Sequence, residues 1–188
     1  VRLRLPADDG VEGRTVAVVG PYELFGEEAL ATGNRRPYRA VAGEPCSLSG
    51  ADGARVLRGL RGTRHTLSGL FESAAVDLAR TRWAPPGTGG PRTAERLADI
   101  LLELAVRFGE PREGGGIRIP LRLTHSVLAD LAGAHRSTVT TLLNEWLYEG
   151  ILEEDTGIPA IAVLERLESR SSGRERWVER PKTRSVRR

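Results

Sequence analysis

The chain has 188 residues, 39% of them hydrophobic and 28% charged, a balance that suits one or two small globular domains and is neither membrane-like nor that of a wholly disordered chain. No apolar run reaches the roughly 18 residues that span a bilayer, and the opening VRLRLPADDG lacks the apolar core of a signal peptide, so a cytoplasmic protein without membrane contact is expected. The formal charge of +3 is uneven: residues 170–188 hold eight basic against two acidic side chains, a net +6, whereas residues 1–169 hold 20 basic and 23 acidic, a net −3. The high isoelectric point therefore belongs to the tail, which is expected to be solvated and disordered and able to add sequence-independent attraction to phosphates. Cys46 is the single cysteine, which excludes an internal disulfide and a cysteine zinc cluster; it reads as a buried strand residue.

The chain contains no methionine and begins with Val1, which points to an alternative start codon or to a fragment. Residues 1–5 (VRLRL) and 15–20 (TVAVVG) alternate like half-buried strands, with turn chemistry at Asp8, Asp9 and Gly10 between them. Residues 38–48 (YRAVAGEPCSL) suggest a third strand interrupted by Gly43 and Pro45. So few short strands neither close a barrel nor cover both faces of a sheet, so the N-terminal domain reads as incomplete.

From about Asp52 the period becomes helical. Leu57, Leu60, Arg64, Leu67, Phe71, Ala74 and Leu78 follow a 3-4 spacing that suits a helix paired with a partner helix, or alternatively one packed on its own sheet. The seam stops at WAPPGTGGP (83–91). A second amphipathic helix follows in TAERLADILLELAVRF, with Thr93 expected as N-cap, Arg96 in place of a capping-box glutamate, and Gly109 as the stop. EPREGGG (110–116) reads as a turn and IRIPLRL (117–123) as a short strand pair or extended arm.

The most patterned stretch is LADLAGAHRSTVTTLLNEWLYEG (128–150). Thr124 is placed to cap a helix reaching about Ala132, with Val127, Leu128 and Leu131 facing inward, and Gly133 permits a sharp exit. Val139, Leu142, Leu143, Trp146 and Leu147 then lie on one face of a second helix that ends at Gly150. Arg136, Ser137, Thr140 and Thr141 are expected on the opposite face. Residues 151–164 read as a hairpin, and Leu164 and Leu167 as anchors of a last short helix. Two helices about a glycine turn, flanked by a hairpin, make a winged helix-turn-helix. An arginine at the start of the second helix can fork two hydrogen bonds to guanine O6 and N7, and small hydroxyl neighbours let the helix approach base edges and phosphates. Serine and threonine there also satisfy free backbone N–H groups, so a protein-binding helical subdomain stays open on pattern alone.

FGEEAL (25–30), NRRPYRAVA (34–42), AERLADILLEL and LTHSVLADLAGAHRSTVTTLLNEWLYEGIL together resemble the CRP/FNR family of bacterial regulators, in order and spacing over residues 15–167. The resemblance implies an α+β fold: a partial β-roll (cyclic-nucleotide-binding-like) sensor domain at 1–52, truncated at its start, a dimerisation helix and Pro/Gly-rich hinge at 53–92, a winged helix-turn-helix at 93–169 and a basic tail at 170–188. It implies a sequence-specific regulator that binds double-stranded DNA as a homodimer and touches RNA polymerase. Arg136 takes the guanine-reading position, Ser137 and Thr141 the other base-facing positions, and His125 and Thr138 fall near backbone contacts, with Thr140 beside them. Ser137 and Thr141 depart from the family's commoner glutamate and arginine, and His135 from its small N-cap. Glu27 matches the ribose-binding position of the cyclic-nucleotide pocket and Arg36 its phosphate partner. Pro37 replaces the following hydroxyl residue and supplies neither hydroxyl nor N–H, which disfavours a cyclic nucleotide as cofactor. A truncated interaction module, or an inhibitor of intact relatives with only nonspecific DNA binding, is the alternative.

An enzyme needs a constellation, and none appears. His65, His125 and His135 lack metal-ligand spacing, the acidic run at 153–155 reads as solvated loop, and GGG (114–116) neither follows a strand nor opens a helix as a phosphate loop would.

Overall fold

A computed structural model describes residues 1–6, 13–32, 36–60, 91–155 and 158–171. The chain divides into two units, Val1–Pro86 and Gly87–Arg188, each with its own antiparallel sheet.

In the first unit, β1 (Arg2–Arg4) lies between β2 (Thr15–Val18) and β3 (Arg39–Val41). Leu3, Thr15 and Val18 are buried, and the three-residue step from Thr15 to Val18 departs from period-2 alternation. The register runs Arg2 to Val18, Leu3 to Ala17 and then Arg4 to Thr15, so Val16 bulges out of the ladder and stands exposed. The third strand is shorter than its sequence suggests. Gly43 and Pro45 end the pairing, because proline has no N–H to give, and the chain beyond Val41 leaves the sheet. Cys46 is therefore exposed rather than a buried strand residue.

A short helix, α1 (Ala29–Thr32), precedes β3, and α2 (Gly53–Leu60) follows it. Asp52 caps α2, its carboxylate accepting the Arg55 N–H at 2.9 Å and its carbonyl the Val56 N–H at 2.9 Å. Leu57 of the expected seam is exposed. The rest of that seam, from Arg64 to Leu78, lies outside the described residues.

In the second unit, α3 (Pro91–Phe108) begins two residues before the expected cap. Proline suits the first turn, where its missing N–H costs nothing. Thr93 is instead a buried residue within the helix, and its hydroxyl accepts from Arg96 Nη2 at 3.1 Å. Leu97, Leu101 and Leu104, with Ala98 and Ala105, form the buried stripe. The stop at Gly109 has a steric reason: a Cβ there would lie 2.2 Å from the Ala105 carbonyl oxygen and 2.4 Å from Ile117 Cγ2.

The following four-stranded sheet has the order β4 (Glu110–Pro111), β5 (Ile117–Arg118), β7 (Ile158–Ile161), β6 (Leu152–Asp155). Glu110 and Pro111, expected in a turn, are thus its edge strand, and Gly114–Gly116 close the β4–β5 hairpin. The expected arm at 117–123 keeps strand structure only at Ile117 and Arg118. Past Pro120, the Leu121 N–H turns back to the Ile119 carbonyl and the Leu123 N–H to that of Leu121, instead of joining a ladder. The β6–β7 hairpin pairs Leu152 with Ile161 and Glu153 with Ala160. It is tied to the β4–β5 turn by an Arg112–Glu153 ion pair at 2.7 Å. The helices α4 (His125–Ala132), α5 (Arg136–Tyr148) and α6 (Leu164–Glu168) complete the unit around a core that includes Ile119, Leu128, Val139, Trp146, Ile151, Ile161 and Leu167.

Candidate nucleic-acid interface

The interface is built on α4 and α5. Thr124 caps α4: its hydroxyl accepts the Val127 N–H at 3.3 Å and its carbonyl the Leu128 N–H at 3.0 Å. Val127, Leu128, Ala129 and Ala132 are buried, and Leu131 is half-buried. Gly133 adopts φ 58°, the left-handed conformation, so its N–H reaches the Asp130 carbonyl and the Ala134 N–H reaches that of Ala129. Of the two terminal carbonyls that remain, Leu131 and Ala132, the second takes its donor from Arg96 of α3, with Nε at 2.8 Å. One side chain of α3 therefore fixes the turn between the two helices. Arg96 stood out in the sequence only as a departure from a capping box, and nothing local signals a bond spanning 36 residues.

His135 enters α5 in extended conformation and makes no side-chain cap bond. The first-turn N–H groups at the start of α5 thus have no side-chain acceptor there, with the positive end of the helix dipole behind them and no acidic residue in that turn. Val139, Leu143 and Trp146 are buried, Trp146 at 1% exposure. Leu142 is only half-buried and Leu147, expected inside, is 38% exposed. Directly opposite the buried line stand Ser137, Thr141, Asn144 and Tyr148, all exposed, at i, i+4, i+7 and i+11. Asn144 and Tyr148 extend the outward face by two turns beyond the residues singled out from sequence. The same spacing that placed Ser137 and Thr141 would have found them.

Of the expected contact residues, Arg136, Ser137 and Thr138 share the first turn and are exposed, and Arg136 makes no hydrogen bond or ion pair among the described residues. The Thr141 hydroxyl donates to the Ser137 carbonyl at 3.1 Å. Thr140, expected on the outward face, is half-buried at its edge, its hydroxyl 2.9 Å from Nδ1 of His125. Thr138 and Thr140 both lie about 100° from buried Val139, and what covers Thr140 is its contact with His125. The pair ties the start of α4 to the second turn of α5.

In the first unit, Gly26 takes φ 93°, and a Cβ on it would lie 3.1 Å from Arg36 Nε. The arginine is thus brought against the turn that carries Glu27. Tyr38 engages the same turn, its hydroxyl donating to the Glu28 carboxylate and receiving the Gly26 N–H; burial first, and then Glu28, hold its pKa above the usual phenol range. Among the described residues, no group of three histidine, cysteine or acidic side chains is placed to hold a metal ion, and no helix is long and apolar enough to cross a membrane.

Comparison with known proteins matches the Crp-like helix-turn-helix domain to residues 95–170. The CRP-like cAMP-activated global transcriptional regulator of Mycobacterium tuberculosis is 30% identical over 172 residues, covering 91% of this chain and 75% of that protein. The chain belongs to the CRP/FNR family. The global nitrogen regulator of Synechocystis sp. is 33% identical over 138 residues, 72% of this chain and 60% of that protein. This chain spans about 60% of the length of that regulator and of the corresponding Nostoc protein. Among solved structures, a CRP-family transcriptional regulator from Thermus thermophilus superposes with a TM-score of 0.68 at 25% identity, covering 90% of this chain and 82% of that one. The mixed helix and sheet architecture is that of the family, several of whose matched members are named as transcriptional regulators.

Proposed function

We propose that the chain is a sequence-specific DNA-binding transcriptional regulator acting in the cytoplasm. It binds a two-fold site as a homodimer, with α5 in the major groove and Arg136 reading guanine. The observation that carries this reading is the division of α5, in which a line of buried apolar residues backs an outward line of Ser137, Thr141 and Asn144 beside an exposed Arg136 that has no partner among the described residues. Short hydroxyl and amide side chains bring the helix close to base edges, and the guanidinium supplies the bidentate fork. Thr138 and the α5 first-turn N–H groups lie where phosphates are bound, while the His125–Thr140 pair sets the angle of α5 and leaves the imidazole edge at the start of α4 for a phosphate.

The exposed Leu57 on α2 supports pairing of two copies through that helix. The engagement of the Gly26–Glu28 turn by Tyr38 and Arg36, with Pro37 beside them, supports DNA binding without a cyclic nucleotide. RNA polymerase is the partner that activation would require.

Selection from random duplexes tests the reading. It expects an enriched inverted repeat with half-sites about one helical turn apart, the general spacing of helix-turn-helix dimers, for which members of this family are standard examples. Recovery of no motif would sink it. One observation favours a second reading, an interaction module that pairs with intact relatives: Val16, Leu24 and Leu48 stand exposed in the first unit. That reading expects association with a relative and no selected motif.

A further inference from the structure

The outward line of α5 runs well past the residues near Arg136. Ser137, Thr141, Asn144 and Tyr148 fall within about 60° of arc on a helix that turns about 100° per residue. Along that line the polar atoms reach progressively farther from the helix. Ser137 and Thr141 carry their hydroxyls directly on Cβ, the amide of Asn144 lies one atom farther out, and the hydroxyl of Tyr148 stands beyond a whole ring. Tyr148 is 95% exposed, and neither it nor Asn144 makes a side-chain hydrogen bond or ion pair among the described residues. All four side chains are uncharged, and the exposed Glu145 lies about 100° off Asn144, away from the line.

The end of the helix that carries the bare ring is held in place. Trp146 is buried, Arg166 donates from Nη1 to the Glu149 carbonyl at 2.7 Å, and Arg170 pairs through Nη2 with the Glu149 carboxylate at 2.7 Å. A tyrosine rooted this firmly has only its two side-chain torsions to give up when its ring and hydroxyl meet a partner.

The lengthening of the line fits a duplex. A helix that enters the major groove by its N-terminal end meets base edges there and draws away from the groove floor toward its C-terminal end. Short side chains at the start and longer ones at the far end match that tilt. Asn144 lies eight residues from Arg136, about 12 Å along the axis, or at most about four base-pair steps of 3.4 Å. Its Nδ2 can donate to adenine N7 while its Oδ1 accepts from adenine N6. Tyr148 lies about 6 Å farther on, where the helix has left the base edges and a phenol can donate to a phosphate oxygen.

We propose that Asn144 is a second base-reading residue, selecting an A·T pair within about four base pairs of the guanine read by Arg136, and that Tyr148 fixes the tilt of α5 by donating its hydroxyl to a phosphate on the rim of the groove. The proposal rests on the regulator reading, because it supposes that α5 lies in the groove. It adds a second specified position to each half-site and a contact that carries no charge.

The test compares the parent chain with Arg136→Ala, Asn144→Ala and Tyr148→Phe. Affinity is measured by fluorescence anisotropy on the selected site and on every single-base variant of one half-site, each across a salt series. Asn144→Ala is expected to bind the selected site about tenfold more weakly and to lose preference at one A·T position, distinct from the position lost in Arg136→Ala. Tyr148→Phe should bind about threefold to tenfold more weakly on every sequence, with all base preferences intact. Neither replaces a charge, so both should keep the parent's slope of log affinity against log salt, whereas Arg136→Ala should make it shallower. Alanine is the better helix former and the site is exposed, so Asn144→Ala should keep the parent's unfolding midpoint or raise it. Asn144→Ala with every base preference intact, or Tyr148→Phe with parental affinity, overturns the proposal while Arg136 still flattens its own position. If no sequence is selected at all, the regulator reading fails and takes this proposal with it.

Discussion

Replacing Arg96 by methionine removes a guanidinium from the base of the helix-turn-helix while keeping most of its aliphatic stem. Two bonds go: Nε to the Ala132 carbonyl at 2.8 Å and Nη2 to the Thr93 hydroxyl at 3.1 Å. The first is charge-assisted and partly buried, and bonds of that kind contribute about 1.5–3 kcal/mol. The second leaves the hydroxyl of buried Thr93 without this donor. The carbonyl of Ala132 sits at the end of α4 beside exposed Gly133, so water recovers part of the loss, and a net cost of about 2 kcal/mol is expected. For a unit of this size that lowers the melting temperature by roughly 8–16 °C. Urea unfolding followed by Trp146 fluorescence measures it, with Arg96→Lys as a companion expected to recover only part. A loss below about 0.5 kcal/mol for Arg96→Met would refute the claim that this one side chain holds the turn between α4 and α5.

The His125–Thr140 pair makes a second prediction: in a double-mutant cycle of His125→Ala and Thr140→Val, unfolding should show a coupling of about 0.5–1.5 kcal/mol, and additivity would remove the pair as a positioning device. Gly133→Ala should destabilise by about 1 kcal/mol at φ 58°, and because a Cβ there meets no atom within 4 Å, the cost should come from the backbone alone; an unchanged midpoint would contradict that.

The helix-turn-helix was legible because its signals are local. Thr124 caps the helix it was expected to cap, Gly133 takes the left-handed conformation that the turn needs, and Trp146 is core. The element boundaries were less legible wherever a long-range contact decides them. Glu110 and Pro111 read as a turn but pair as an edge strand because β5 lies beside them, whereas Gly109 was expected as the stop of α3 and is. Cys46 was misread for a simpler reason, since Gly43 and Pro45 end β3 before it. In the candidate interface, Thr138 entered only through the family resemblance, whereas Arg136, Ser137 and Thr141 followed from helical spacing. Thr140 did not, because its place is set by a bond to a residue 15 positions away, and Asn144 and Tyr148 were missed although the same spacing includes them.

The central claim is that the exposed guanidinium at the start of α5 reads a base. The most direct test is Arg136→Ala, with affinity measured on the selected site and on every single-base variant of one half-site. A loss of about 1–3 kcal/mol is expected on the selected site, with preference vanishing at one guanine position and unchanged elsewhere. Equal weakening on all sequences, with every base preference intact, would make Arg136 a phosphate contact and contradict the claim.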